Sequence, residues 1–209
     1  MAFVAGPSTE SIASVDGTRN AQALDLGGVA AVVGVGMFLV VVLTLHAVQV
    51  HYDPVNQLMS ELALGPHGWA MFFAFSGIAV ALAGIQFSIA SLGATHALRG
   101  LLILAAIFFL AAGAFPLGET SMIHISAIAA AFVTAVLAMY LFPSLAGGAA
   151  ALAPKSLSWS FAAGVATSVA LGHSIIPIGI GQRLAASFLL LWMLVLGMRL
   201  LHARSVDAA

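Results

Sequence analysis

The stretch HYDPVNQLMSELALGPHGW, His51 to Trp69, is the one long polar interruption between strongly apolar runs that also carries the marks of ordered structure. Asp53 followed by Pro54 is a helix-start signal, because a carboxylate caps free N–H groups and proline fits the first helical turn. Gly65-Pro66 is a stop. Between them Val55, Leu58, Met59 and Leu62 fall at i, i+3, i+4 and i+7, while Asn56, Gln57, Ser60 and Glu61 take the opposite face. The spacing predicts a short amphipathic helix over residues 53–64, lying beside a membrane.

The membrane follows from what flanks the stretch. Of 209 residues, 62% are hydrophobic and 6% charged, against about 25% charged in a soluble domain, so the chain could not cover a water-facing surface. Six apolar segments, at 27–50, 68–91, 99–116, 122–142, 157–176 and 183–201, each approach the roughly 20 residues that cross the hydrocarbon core. The expected fold is all-α: a polytopic bundle of six transmembrane helices, with the 53–64 helix on its outer face. Residues 1–26, polar and rich in Ser, Gly and Ala, read as a flexible tail; 27–201 as one membrane domain; 202–209 as a C-terminal tail. A net charge of −1 provides no basic field for nucleic acid, and the absence of cysteine removes thiol chemistry.

Lysine and arginine set the expected orientation. Arg19, Arg99, Lys155, Arg199 and Arg204 all fall on one side of a six-span bundle, which should be the cytoplasm, leaving Arg183 on the other. Both termini are then cytoplasmic, and the protein belongs to the cell membrane. The outer side receives His51, Asp53, Glu61 and His67 from the first link, Glu119 and His124 from FPLGETSMIH, and His173 and Arg183 from GHSIIPIGIGQR, with His46 just below. Five of seven histidines and all three acids between residues 27 and 201 thus gather on one face.

Each candidate has a structural reading beside its chemical one. Asp53 caps a helix, or serves as a base. Ser60 and Glu61 are solvated at a headgroup boundary, or line a site together with Asn56 and Gln57. Glu119 belongs to a helix-capping turn and pairs with Arg183 across the outer mouth, or ligates a metal. His124, in the first turn of the fourth segment, is an ionisable group inside a span and therefore a functional candidate. His173 follows the row Ser160, Gly164, Ser168, Gly172, a small-residue stripe that lets a neighbouring helix pack closely. Imidazole and carboxylate together suit a divalent ion such as zinc, but no HExxH, nucleotide-binding or nucleophile-elbow motif is present.

The signature YDPVNQLMSELALGPHGW after a first membrane helix, the AFP at Ala114 to Pro116, and HISA at His124 to Ala127 resemble the prokaryotic membrane proteins grouped as domain of unknown function 998. The resemblance spans residues 27–201 and implies an architecture without an activity. More distantly, the bundle with an outer Ser-Glu element is similar to the Frag1/DRAM group and to the alkaline ceramidase and adiponectin-receptor superfamily. The latter resemblance implies a Ser, an Asp and three His around intramembrane zinc, for which Ser60, Asp53, His124 and His173 are the nearest equivalents by residue type. The paired histidines of that group's last helix have no counterpart between Arg183 and Arg199.

Three functions are therefore expected of the outer cluster. One is a metal-assisted hydrolase acting on a lipid or amphiphile, with Asp53, Ser60, Glu61 and His124 in catalysis and His124, His173 and Glu119 on a metal. A second is a small-molecule transporter or ligand-binding module, in which the 53–64 helix covers a cavity opening outward; Asn56, Gln57 and Arg183 form a further polar cluster, and a lipid or small molecule is the expected ligand. The third is a non-catalytic accessory or scaffold protein.

Overall fold

The computed structural model describes residues 9–172 and 174–207, which form helices and connecting turns with no strand among the described residues. The long helices are α1 (Thr9–Val48), α2 (Met71–Ser91), α3 (His96–Ala114), α4 (Ser121–Leu145), α5 (Lys155–Gly172) and α6 (Ile178–Asp207). Five of them contain a stretch long and apolar enough to cross a membrane: Ala21–Val48, Gly68–Ser91, His96–Ala114, Ser121–Leu145 and Ile178–Ala203. This is a multi-pass arrangement. The fifth helix, expected as a span, is absent from that set because it opens on Lys155 and carries Ser156, Ser158, Ser160 and Ser168 in 18 residues.

Each helix packs on its neighbours in chain order, and α6 returns to α1, closing a ring. Its tightest seam lies between α1 and α2. Gly27 and Gly34 stand two turns apart on α1, as Gly77 and Gly84 do on α2. A Cβ on Gly34 would lie 2.3 Å from the Gly77 carbonyl oxygen, and one on Gly27 2.3 Å from that of Gly84. Both backbones can approach so closely only because the side chains are absent. The predicted stripe on the fifth segment works in the same way from Gly164 onward: Gly164 faces the Phe188 ring and Gly172 the Gly181 Cα. Ser160, its first member, is exposed instead.

Two expected tails are helical where they are described. The α1 helix begins at Thr9, continuing the apolar helix back through residues placed in a loose tail; extending an existing helix avoids the cost of a new nucleus. Ser88 Oγ of α2 donates to the Ala23 carbonyl at 2.6 Å and so holds this early part of α1. The α6 helix likewise runs on to Asp207.

Gly34→Leu is expected to lower the unfolding midpoint in mild detergent, by about 1–3 kcal/mol as at overpacked sites generally. A Cβ on Gly36 meets open space, so Gly36→Leu should not lower it. Equal midpoints for the two variants would show that α1 and α2 do not meet through these glycines.

Candidate functional site beneath the first loop

The α1–α2 link corrects the predicted 53–64 helix. One turn forms as anticipated: Asp53 Oδ1 accepts the Val55 N–H at 2.9 Å and the Asn56 N–H at 3.4 Å, and Gln57 N–H donates to the Asp53 carbonyl at 2.9 Å. Side chains then stop the helix. Gln57 Oε1 takes the Asp53 N–H at 2.7 Å, Glu61 Oε1 takes the Leu58 N–H at 2.9 Å, and Leu58 is extended. Winding resumes only as a 3-10 helix, Met59–Leu64, whose first backbone bond runs from the Glu61 N–H to the Leu58 carbonyl. The change of period redistributes the faces, since residues three apart now align. Met59 and Leu62 are buried, Ser60 turns inward with them at 2% exposure, and Asp53 and Asn56 stay in water.

The loop is fastened from three directions. Gln49, buried at the end of α1, donates to the Leu62 and Pro66 carbonyls at 2.9 Å each. Gln182 Oε1 accepts the Met59 N–H. Arg183 donates to the Gln57 carbonyl at 3.2 Å, the Gly179 carbonyl at 2.9 Å, the Tyr52 hydroxyl, and His46 Nε2 at 3.0 Å. His46 Nδ1 sits 2.7 Å from the Val42 carbonyl, an acceptor, so this nitrogen carries the proton and Nε2 is free to accept from Arg183. The loop's backbone lies directly over the start of α6: a Cβ on Gly179 would fall within 2.6 Å of the Pro54, Val55 and Gln57 carbonyl oxygens. The pairing of Glu119 with Arg183 expected from sequence is not formed; Arg183 is committed to the loop, and Glu119 is exposed on the α3–α4 link.

Beneath this roof sits His124, 2% exposed in the first turn of α4. Its Nδ1 lies 2.8 Å from the Ala112 carbonyl in the last turn of α3 and 3.1 Å from that of Phe115, the residue that caps this helix. Both partners are acceptors, so Nδ1 holds the proton. Nε2 is buried without a hydrogen-bond partner among the described residues. His124 borders an apolar cleft of about 430 Å³ between α4, α5 and α6, whose upper end is formed by Ser60, His124 and Gln182. Below them run Ile128, Phe132 and Ala185. Behind His124, on the side of Phe75 and Gly113, a second cavity of about 260 Å³ lies under Trp69.

The structure therefore joins Ser60 and His124 at one cleft, holds Glu61, Gln57, Asn56 and Asp53 in the loop's own hydrogen-bond network, and places Glu119 apart. His173 lies outside the described residues. Among those described, no three His, Asp or Glu side chains gather to hold a metal ion. Gln49 and Gln182 were not singled out from sequence, although a polar side chain in an apolar helix is the signal that would have found them.

Electrostatics mark the two ends of the loop differently. Hydrogen bonds from Asn56 and the Val55 backbone hold the Asp53 carboxyl below its ordinary value of 3.8, so its contribution is present above that value and lost as pH falls through the folded pKa. Burial raises the Tyr52 phenol above 10.0, with Arg183 opposing.

Comparison with known proteins adds one finding. A family model described as "Protein of unknown function (DUF998)" matches residues 32–199. No curated protein and no solved structure matches the chain.

The phenolate difference titration between the wild type and Tyr52→Phe should place Tyr52 above 10.0. The neutral phenol is the form the fold favours, so its contribution is whole below 10.0 and is lost as pH rises through the folded value. A Tyr52 that ionises at or below 10.0 would mean that the phenol is not packed under the loop.

Proposed function

The chain belongs to the DUF998 family, and we propose that it is a membrane protein that holds the hydrocarbon chain of an amphiphile in the α4–α5–α6 cleft, with the first loop as its roof. The observation that carries this reading is the cleft itself. At about 430 Å³ it falls within the range of small-molecule sites, about 300–1,000 Å³, and its lining is mostly apolar, with Ser60, His124 and Gln182 at one end and Ser168 on the α5 wall. Such a lining suits a chain below and a polar head above.

A sixth span, formed by α5, fits the same picture. At 18 residues α5 is about 27 Å long, close to the roughly 30 Å of hydrocarbon. Its serines do not all face lipid: Ser158 and Ser168 are buried. Arg99, Lys155 and Arg199 belong to the end opposite the first loop, which favours a cytoplasmic location for that end and an outer-leaflet opening for the cleft. On this reading both termini are cytoplasmic and the protein resides in the cell membrane.

Metal-assisted hydrolysis of the bound amphiphile is a second reading, favoured by the bare Nε2 of His124, a residue that lines the same cleft as Ser60. His173 is next in sequence to the cleft-lining Gly172, and a water-bearing ion held there would supply the nucleophile. It requires divalent metal in the purified protein, lost in His124→Asn; metal-free wild-type protein would remove it.

Binding of a radiolabelled single-chain amphiphile to the purified protein tests the first reading. Ala129 is exposed on the cleft wall, and Ala129→Trp should weaken binding at least tenfold, about 1.4 kcal/mol. Undiminished binding in that variant would move the ligand elsewhere.

A further inference from the structure

We infer that the amphiphile's head is a carboxylic acid, so that the cleft is a site for a long-chain fatty acid; this rests on the reading of the cleft as a hydrocarbon-chain site. Four polar residues line the cleft, Ser168 on the α5 wall and three at the upper end that are left with complementary hydrogen-bonding capacity. His124 Nε2 is an acceptor, because the proton stays on Nδ1 between the Ala112 and Phe115 carbonyls, and it is buried without a partner among the described residues. The Gln182 amide is oriented by its oxygen, which accepts the Met59 N–H, so its NH₂ remains as a donor. Ser60, 2% exposed, makes no side-chain hydrogen bond among the described residues and can donate or accept.

The complement of this set is a group that presents one donor and one acceptor on adjacent atoms. A carboxylic acid does so: its O–H meets Nε2, and its C=O accepts from Gln182 or Ser60. Should the proton cross to Nε2, an imidazolium and a carboxylate remain paired, with no change in net charge. An ester offers acceptors only and leaves Nε2 unmatched. An ammonium offers donors only and leaves the Gln182 NH₂ unmatched. A phosphate would bring net charge into a largely apolar cleft with no free cation at its head among the described residues, because Arg183 is already bound to Gln57, Gly179, Tyr52 and His46.

The cleft's length and opening suit a single lipid chain. Along α4 its lining runs from His124 to Val133, about 13 Å at the helical rise, against roughly 15 Å for half of the hydrocarbon core. Ile125 and Val133 on α4 and Val169 on α5 are 54%, 60% and 38% exposed, so the cleft opens sideways to the bilayer. A chain could enter from one leaflet with its head at the level of the first loop.

The test compares a long-chain fatty acid, its methyl ester and the matching alcohol for binding to the purified full-length protein. The acid should bind about tenfold more tightly than the ester. In His124→Asn, whose amide N–H can still reach the Ala112 and Phe115 carbonyls, that preference should vanish. Ser60→Ala should narrow it while leaving the fold intact, and it decides the matter if the His124 variant unfolds. Acid and ester binding equally well to the wild type would overturn the carboxyl assignment and leave the chain site standing. Alcohol binding as tight as acid would overturn it in favour of a lone hydroxyl. No binding of any of the three, or a second copy of the protein cross-linked through Val133 in place of a ligand, would overturn the chain site itself.

Discussion

The first-loop end depends on where Arg183 spends its guanidinium. A cation near the end of an apolar helix would ordinarily reach for water or a carboxylate. Here it donates to two backbone carbonyls, a phenol and an imidazole, drawing together α6, α1 and the loop across separations of 126 to 137 residues in sequence. Gln182, its neighbour, takes the Met59 N–H. These two consecutive residues place the 3-10 helix over the bundle, and with it Ser60 over the cleft. Gly179, one turn before, leaves the room that the loop backbone needs.

His124 shows how a simple local interaction leaves a nitrogen without a proton. The carbonyls at the end of α3 need donors, as helix ends do, and Nδ1 supplies one to Ala112 and Phe115. Once this proton is fixed there, the other nitrogen must be bare. The same logic operates at His46, where the bare nitrogen is immediately used by Arg183. The two histidines share a tautomer and differ in whether the second nitrogen has found a partner. That difference separates a structural histidine from a candidate functional one.

Much of the architecture was legible from the length of the apolar runs, which physical chemistry ties to bilayer thickness. The position of His124 was legible too, because an ionisable residue inside a span demands explanation. The course of residues 53–64 was not. Its apolar spacing suits an α-helix, but Glu61 and Gln57 compete for the backbone N–H groups of Leu58 and Asp53, and Gln182 supplies the partner for Met59 from a distant helix. Pattern within a short window cannot register a partner more than a hundred residues away. For the same reason Arg183 read as an outer cation suited to Glu119, and the lone pair on His124 could not be foreseen without knowing where α3 ends.

The ring of helices is unevenly joined. Glycines bring α1 and α2 into backbone contact on one side, while α4 and α5 meet sparingly across the cleft. The first is a stiff stave and the second a seam with slack in it. For the proposed ligand, an entrance in a side wall would make arrival a matter of two-dimensional diffusion within the lipid. Ionic strength, which governs charge-steered encounters from water through screening, would have little hold over such an arrival. The fluidity of the surrounding acyl chains would set its pace, and the roof could stay fastened throughout.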